Sequence, residues 1–213
     1  MGNRAIIKPY GKNIGVYLHW NGGRDSVEAF LEYCKLRGFR DFEDSYGMAR
    51  FVQVVSNFLG GGLSIGIETN VYMDKRCSPG DNGIYEVKGW EIVGRCDAPS
   101  FEQKEYDLLD FMKAVDKKQP VEEQLGWKFF DAEVVKRDDI KVGDIVFVPD
   151  CVSGGYFEAC VIGFGKKNQI VNGHFVTNLP YVGKYGSKYC APEDNINNYL
   201  QEKTYRVIKV KEG

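Results

Sequence analysis

The sequence contains little histidine, and its cysteines are not spaced as metal ligands. There are two histidines in 213 residues, His19 and His174, and the six cysteines lie far apart. Zinc sites usually take two of their ligands from positions close together in the sequence, so no metal ligands are assigned. We interpret the cysteines as reduced thiols, and Cys34 falls on an apolar helical pattern where a small buried side chain is the simplest explanation.

The sequence also lacks a long apolar run and an excess of charge of either sign. No apolar stretch approaches the ~20 residues of a membrane span, and no signal-peptide pattern is present. The formal net charge of −2 gives neither the basic surface of a duplex-binding protein nor the strong negative charge of a DNA mimic. These absences predict a cytoplasmic protein that binds neither membranes nor duplex nucleic acid directly.

The chain has enough apolar material for one large domain or two small ones, with 43% hydrophobic and 14% aromatic residues. A helical pattern ends at Lys117-Lys118-Gln119-Pro120, and short β-type segments dominate the sequence beyond it. We therefore predict a first domain over residues 1–120, a linker over 121–127 and a second domain over 128–213.

The first domain has the patterns of an α+β unit. Four segments alternate apolar and polar residues or are bounded by turn formers, and predict strands: residues 4–8, 14–20, 63–68 and 84–95. Helical spacing of apolar residues predicts three helices. The first has Asp25 as its N-cap, with Glu28 completing a capping box. The second begins near Tyr46, and the third has Ser100 as its N-cap. Because the strands follow one another in hairpins, we expect an antiparallel sheet with three helices.

The second domain consists mainly of short strand patterns separated by Gly, Asn and Pro. The predicted strands are residues 128–135, 145–148, 156–164, 169–171, 174–177 and 204–210. Residues 140–148 resemble the opening of SH3-like barrels, where a Val-Gly-Asp turn precedes a core strand. The resemblance implies a small SH3-like β-barrel and carries no activity, because such folds have many functions.

The best candidate site lies where the strand pattern from Gly15 to Trp20 meets two glycines and opens into a helix. A helix N-terminus reached through a glycine turn presents backbone N–H groups and the positive end of the helix dipole to an anion. The candidate residues for binding an anion or nucleotide are Trp20, Asn21, Gly22, Gly23, Arg24, Asp25 and Ser26. Asp25 brings a negative charge there, so it must turn inward or be screened by Mg²⁺, and no other cofactor is expected.

The six residues from Asn21 to Ser26 resemble the pyrophosphate loop of the PP-loop ATP pyrophosphatase family. The family pattern Ser-Gly-Gly-x-Asp-Ser also follows a strand and opens a helix, and this chain differs from it at Asn21. The resemblance implies that Gly22, Gly23, Asp25 and Ser26 cradle nucleotide phosphates and that the chain adenylates a substrate. The family has a parallel, doubly wound sheet, whereas consecutive strands are predicted here, so a turn before a capped helix remains the other interpretation.

No catalytic group can be assigned from the sequence. His19 lies beside Trp20 on an apolar strand, where a histidine can be a structural hydrogen-bonding residue or a catalyst. Cys34 follows in the next helix, but a nucleophile needs a base near it in space, which sequence spacing does not establish. We expect a binding protein rather than an enzyme.

The second domain carries a tyrosine-rich segment with interleaved lysines and asparagines. The candidate partner-binding residues are Tyr181, Lys184, Tyr185, Lys188 and Tyr189. Tyrosine beside lysine and amide groups is suited to a protein interface or to stacking on bases, and it is also typical of a loop held in place by its tyrosines.

Residues 15–40 and 83–95 resemble, in general appearance, small uncharacterised proteins carried by phages and mobile elements of Firmicutes. Proteins of that kind often block host defence, as anti-CRISPR inhibitors of Cas nucleases or as sponges for nucleotide signals. The resemblance implies a non-enzymatic binding protein that inhibits a host defence protein by contact. The alternative is a nucleotide-binding protein, either a signal sponge or a PP-loop-like enzyme that uses ATP, with phosphate held at Asn21 to Ser26.

Overall fold

The computed structural model describes most of the first half of the chain and parts of the second half. The described residues are 2–60, 64–73, 81–99, 105–136, 139–141, 144–150, 155–160, 170–171, 174–175 and 204–208. The chain divides into two compact units, residues 1–124 and 125–213, and each unit has its own main sheet. No helix within the described ranges is long and apolar enough to cross a membrane.

The first unit is built on a five-stranded mixed sheet. Its strands are β1 (Ala5–Pro9), β2 (Ile14–Leu18), β3 (Ile65–Thr69), β4 (Ile84–Lys88) and β5 (Glu91–Cys96). Their order is β3-β2-β1-β4-β5, and every neighbouring pair is antiparallel except β1 with β4. These two strands run parallel, with Ile6 opposite Ile84.

The prediction of a purely antiparallel sheet is therefore wrong at its centre. The hairpin β1–β2 forms as the sequence predicts, whereas the single strand predicted over residues 84–95 turns at Gly89 and forms the hairpin β4–β5. The first strands of the two hairpins lie side by side and point the same way. A parallel pair needs a long crossover connection, and the chain from β2 to β4, which contains two helices and β3, provides it. A prediction that pairs strands consecutive in the sequence misses the contact between β1 and β4.

The described residues of the first unit also include three α-helices: α1 (Arg24–Leu36), α2 (Ser45–Phe58) and α3 (Leu108–Lys117). Phe30 of α1 packs edge-on against Phe51 of α2 and Phe111 of α3, with ring centroids 6.5 and 5.4 Å apart. The aromatic side chains predicted to form helical stripes thus meet in one core, where edge-to-face contacts add to the free energy of burial.

Both faces of the sheet carry buried residues. Ile7, Val16 and Tyr85 lie opposite one another on one face and are fully buried. On the other face Ile6 and Ile84 pack with Val71, which follows β3. The inner strands β1 and β4 are therefore covered on both sides over residues 5–7 and 84–85, where the sequence is continuously apolar.

The start of α3 differs from the prediction. The helix begins at Leu108, and its N-cap is Asp107, whose side chain accepts hydrogen bonds from the backbone of Leu109 and Asp110. Ser100 lies outside the described residues and precedes the helix by more than a turn, so it is not the N-cap. Tyr106, whose position fits the apolar stripe predicted for this helix, precedes it.

The second unit has a four-stranded antiparallel sheet. Its elements are α4 (Trp127–Asp131), β6 (Glu133–Lys136), β7 (Ile145–Asp150), β8 (Gly155–Cys160), β9 (Ile170–Val171), β10 (His174–Phe175) and β11 (Thr204–Ile208). The main sheet has the order β6-β11-β7-β8, and β9 pairs with β10. Within the described part of residues 125–213, no pairing joins the outer strands β6 and β8, so the sheet is open there.

The strand predicted over residues 128–135 is wrong in its first half. Residues Trp127–Asp131 form the single turn α4, which opens at Gly126 with a backbone φ of 83°. Phe129 is fully buried and packs against Phe147, with ring centroids 5.4 Å apart. One turn is too short for its apolar spacing to distinguish a helix from a strand. The predicted linker, residues 121–127, contains a 3-10 turn at Val121–Glu123 and the start of α4.

Candidate functional site

The candidate site is the turn between β2 and α1. The N-cap of α1 is Gly23, whose carbonyl accepts a hydrogen bond from the backbone of Val27 at 3.0 Å. A Cβ at Gly22 would lie 2.7 Å from both the backbone nitrogen and the Cβ of Ala5. Glycine is thus required at position 22 because the turn lies directly against the start of β1.

Asp25 does not cap α1, so the predicted capping box is wrong. Gly23 is the N-cap and no side chain caps the helix, while Glu28 pairs with Arg24 at 2.7 Å. One oxygen of Asp25 accepts from the backbone of Ser26 at 2.7 Å. Because the N-cap is Gly23, two residues earlier than predicted, Asp25 lies in the first turn, and its carboxylate is available to a segment that is distant in the sequence.

The other oxygen of Asp25 joins α1 to the segment that precedes α3. It accepts hydrogen bonds from the backbone of Glu105 at 2.7 Å and of Tyr106 at 3.0 Å. Further along the two helices, the hydroxyl of Tyr33 donates to the carboxylate of Asp116 at 2.8 Å, and both residues are buried. The two contacts show that α1 and α3 run side by side in the same direction.

The start of α1 therefore has its own anion. The parallel arrangement puts the positive ends of both helix dipoles at the same end of the unit, where the carboxylates of Asp25 and Asp107 accept backbone N–H groups. A phosphate would have to compete with these carboxylates for the same positive potential.

The turn's backbone is also engaged within the protein. The N–H of Gly22 donates to the carbonyl of Asn3 at 2.8 Å, and its carbonyl accepts from the hydroxyl of Tyr85 at 3.0 Å. Ser26 is fully buried, and Gly22 and Gly23 are buried as well. These groups hold the turn against the sheet, and Ser26 does not present its hydroxyl to a ligand.

Two of the predicted ligand-binding residues face solvent. Trp20 has an exposed fraction of 43%, and its ring lies edge-on to His19 with centroids 4.9 Å apart. Arg24 is exposed and holds the ion pair with Glu28. Asn21 adopts a left-handed backbone, with a φ of 56°, and makes the bend between them. Trp20 and Arg24 are therefore the most accessible members of the set, while Asn21 and Asp25 are half-buried.

A polar cluster at the same end of the sheet was not found from the sequence. Nε and Nη2 of Arg4 donate to the two carboxylate oxygens of Asp81 at 2.7 and 3.2 Å. The pKa of Asp81 lies below its ordinary value, chiefly because of the side-chain hydrogen bonds from Arg4, although desolvation opposes the shift. Tyr17 and His19 share a hydrogen bond of 3.1 Å between the hydroxyl and Nδ1.

No sequence pattern could have connected Arg4 with Asp81, because the parallel pairing of β1 and β4 brings them together. The bidentate geometry is that of a structural ion pair, in which the arginine fork matches both carboxylate oxygens.

The cysteine in α1 is not an activated nucleophile. Cys34 is fully buried, and this burial raises the pKa of its thiol far above the ordinary value, although the positive charge of Arg37 acts in the opposite direction. A thiol that stays protonated attacks poorly. Within the described ranges, no group of three or more His, Cys, Asp and Glu residues is placed to hold a metal ion.

The predicted partner-binding residues lie outside the described residues. They are Tyr181, Lys184, Tyr185, Lys188 and Tyr189.

Comparisons of the chain with protein-family models, with curated proteins and with solved structures found no match. Function is therefore proposed from the residues themselves.

Proposed function

We propose that this chain is a non-enzymatic binding protein of phage or mobile-element origin that inhibits a host defence component by protein contact, as anti-CRISPR proteins do. The proposed origin is supported by the resemblance of residues 15–40 and 83–95 to such proteins. In the described structure these segments correspond to β2 with α1 and to the hairpin β4–β5.

One observation carries the proposal: large apolar side chains are exposed around the start of α1 and α3. The exposed fractions are 43% for Trp20, 45% for Tyr106 and for Leu108, and 39% for Leu109. Asp25 ties the segment that contains Tyr106 to the first turn of α1. Tyr106, Leu108 and Leu109 are also near neighbours in the sequence, and exposed apolar groups that lie together among polar residues are typical of protein-binding surfaces.

The nucleotide alternative has weaker support. Trp20 and Arg24 are exposed and are suited to stacking and to charge-assisted hydrogen bonding. Against it, Asp25 supplies a negative charge at the start of α1 and the N–H of Gly22 is engaged. Mg²⁺ is expected only if this alternative is correct, and the contact inhibitor needs no cofactor.

Thermal-shift measurements with ATP and cyclic dinucleotides, with and without Mg²⁺, distinguish the two proposals. Micromolar binding at millimolar ligand would stabilise the protein by ~4 kcal/mol through mass action. We expect no shift. A shift that an Arg24→Ala variant abolishes would favour the nucleotide function.

Contact inhibition is tested by pull-down from host cells that carry CRISPR–Cas or related systems, followed by a cleavage assay with the recovered nuclease. We expect inhibition that saturates at one inhibitor per target. If the tyrosine-rich segment anchors the partner, replacing Tyr181, Tyr185 and Tyr189 with Ala should weaken binding by a few kcal/mol in total, roughly the loss seen at aromatic hot spots. The matched control is Tyr10→Ala with Tyr46→Ala, two exposed tyrosines of the first unit.

We also propose that residues 128–213 form an SH3-like barrel. The support is the pairing of β11 with both β6 and β7, which returns the C-terminal strand to the beginning of the unit. Amide hydrogen exchange is the test. A closed barrel protects every strand amide in β6 and β8, whereas an open sheet leaves alternate amides of these two strands unprotected.

A further inference from the structure

The chain enters α3 through a short segment that is exposed along its whole length. All six residues from Glu105 to Asp110 are exposed, and three of them are the large apolar side chains Tyr106, Leu108 and Leu109. We call residues 105–110 the α3 entry surface. Apolar side chains at the start of an amphipathic helix usually turn towards the core, as Phe111 and Met112 do in the next turn.

The α3 entry surface is held rigidly. Asp25 accepts from the backbone of Glu105 and Tyr106, and Asp107 caps the helix. The ring of Tyr106 packs on the buried ring of Phe111, with centroids 4.9 Å apart. A surface that is already ordered loses little entropy when a partner binds to it.

The charge around the α3 entry surface is mainly negative. Glu105, Asp107 and Asp110 are exposed on it, and the Asp25 carboxylate adjoins it. Within the described part of the chain, the carboxylates of Glu105 and Asp110 have no ion pair. Asp107 caps the helix and the helix dipole favours Asp110 in its first turn, but neither effect accounts for Glu105, which precedes the helix.

We propose that the α3 entry surface is the docking site for a basic protein surface that carries apolar side chains among its lysines and arginines. The cations pair with Glu105 and Asp110, and the apolar groups pack on Tyr106, Leu108 and Leu109. Opposite charges steer the partner, and burial of the apolar side chains provides the free energy of binding. A second copy of this chain would oppose like charges at the same surface, which disfavours self-association. This inference rests on the proposed contact function and names the chemistry of the partner.

The first test measures binding of the full chain to two synthetic peptides by fluorescence anisotropy. One peptide alternates pairs of lysine and leucine, and the other has serine in place of leucine, so the two have the same charge. We expect the leucine peptide to bind at least about tenfold more tightly, which corresponds to ~1.4 kcal/mol. Equal affinity for the two peptides would overturn the proposal.

Variants assign the binding to this surface. Leu108→Ser with Leu109→Ser should weaken binding of the leucine peptide about tenfold, and Glu105→Lys with Asp110→Lys should do the same and reduce the salt dependence. The matched control is Val121→Ser with Glu122→Lys, an exposed apolar and acidic pair elsewhere in the first unit. The melting temperature of each variant confirms that it is folded. A control that loses as much affinity as the α3 variants would overturn the proposal.

Two further outcomes separate this inference from the proposed function. Sedimentation equilibrium should give a monomer, and a dimer that the Leu108→Ser, Leu109→Ser variant abolishes would assign the surface to a second copy and overturn the proposal. If a host protein is recovered equally by every variant, contact inhibition stands and the docking site is wrong. If the peptides discriminate as expected but no host protein is recovered, the docking site stands and the proposed function is wrong.

Discussion

Gly22 is the residue at which the turn before α1 comes closest to the start of β1. A Cβ at this position would lie 2.7 Å from atoms of Ala5 and of the preceding peptide group. Backbone atoms cannot move aside as a flexible side chain can, so a methyl group there forces strain into the start of the middle strand, β1.

We therefore expect Gly22→Ala to destabilise the first unit by about 1–3 kcal/mol, the usual range for overpacking a close contact. Urea denaturation measures the change. Gly66→Ala is the matched control, because the nearest atom to a Cβ at this strand glycine is 3.8 Å away and belongs to the Tyr17 side chain. If Gly22→Ala and Gly66→Ala lose the same free energy of unfolding, the close approach to Ala5 is not the reason why position 22 needs glycine.

The ion pair between Arg4 and Asp81 makes stability depend on pH. Because the pKa of Asp81 is lower in the folded state than in the unfolded state, its contribution is complete above the unfolded value. As the pH falls below about 4 and through the lower folded pKa, the unfolded chain takes up a proton first, and the stabilisation is lost.

An Asp81→Asn variant should lose less stability than the wild type between about pH 5 and pH 2, although it is the less stable protein at pH 7. The measurement is the free energy of unfolding in urea across this range. Asp41→Asn provides the comparison with an exposed carboxylate of the same unit. Parallel pH profiles for wild type and Asp81→Asn would contradict the expectation.

At the scale of secondary structure, Asp25 does not cap its own helix but links α1 to the segment before α3. Its carboxylate accepts one N–H from α1 and two from the segment before α3. Removing it leaves these donors without their acceptor and removes a favourable charge from the start of both helices.

We expect Asp25→Ala to destabilise the first unit by about 1–3 kcal/mol, and to increase amide exchange at Glu105 and Tyr106. In contrast, Glu28→Ala removes an exposed ion pair in the same helix and should change stability by only about 0.5 kcal/mol. Unchanged exchange at residues 105–106 would mean that other contacts hold the α3 entry surface.

The elements that the sequence predicts best are those with a strong local pattern. The prediction of an α+β fold is confirmed, and α1 and α2 lie where the apolar spacing indicates, because one stripe of each helix is buried. The hairpin β1–β2 is also confirmed, since Pro9 to Asn13 contains the residues that turns require.

Long-range contacts account for the errors. The parallel pair β1–β4 and the reach of Asp25 to Tyr106 join residues about 80 positions apart, as in the Tyr106–Asp25 bond with a separation of 81. Ser100 and Asp107 both satisfy the local rule for an N-cap, so the sequence alone does not choose between them. In the structure Asp107 is the N-cap, and the helix therefore begins at Leu108. The candidate turn was correctly located, but its carboxylate has a role that only the tertiary fold reveals.

At the scale of the whole molecule, the first unit includes the chain up to Gln124. Gln119 is buried, and its side-chain amide donates to the carbonyls of Val54 and Val115 at 3.1 and 3.0 Å. Gln124 in turn donates to the carbonyl of Gln119 at 2.9 Å. The segment that follows α3 is thus hydrogen-bonded to the first unit.

We expect residues 1–124 expressed alone to unfold cooperatively in urea, with a near-ultraviolet circular dichroism spectrum of a packed core. A fragment of residues 1–117 should be less stable by about 2 kcal/mol, because Gln119 no longer satisfies the buried carbonyls of Val54 and Val115. Equal stability of the two fragments would show that the segment after α3 adds nothing to the first unit.

The parallel pair at the centre of the five-stranded sheet also sets how quickly the first unit can reach its native state. Ile6 and Ile84 belong to hairpins that can each form within microseconds, but joining β1 to β4 closes a loop that contains α1, α2 and β3. This loop-closure entropy is lost before the inner strands bury their apolar faces, so we expect the joining step to be the slowest one. Until it occurs, each hairpin exposes the edge that will become the middle of the sheet, and the chain is then most prone to aggregate.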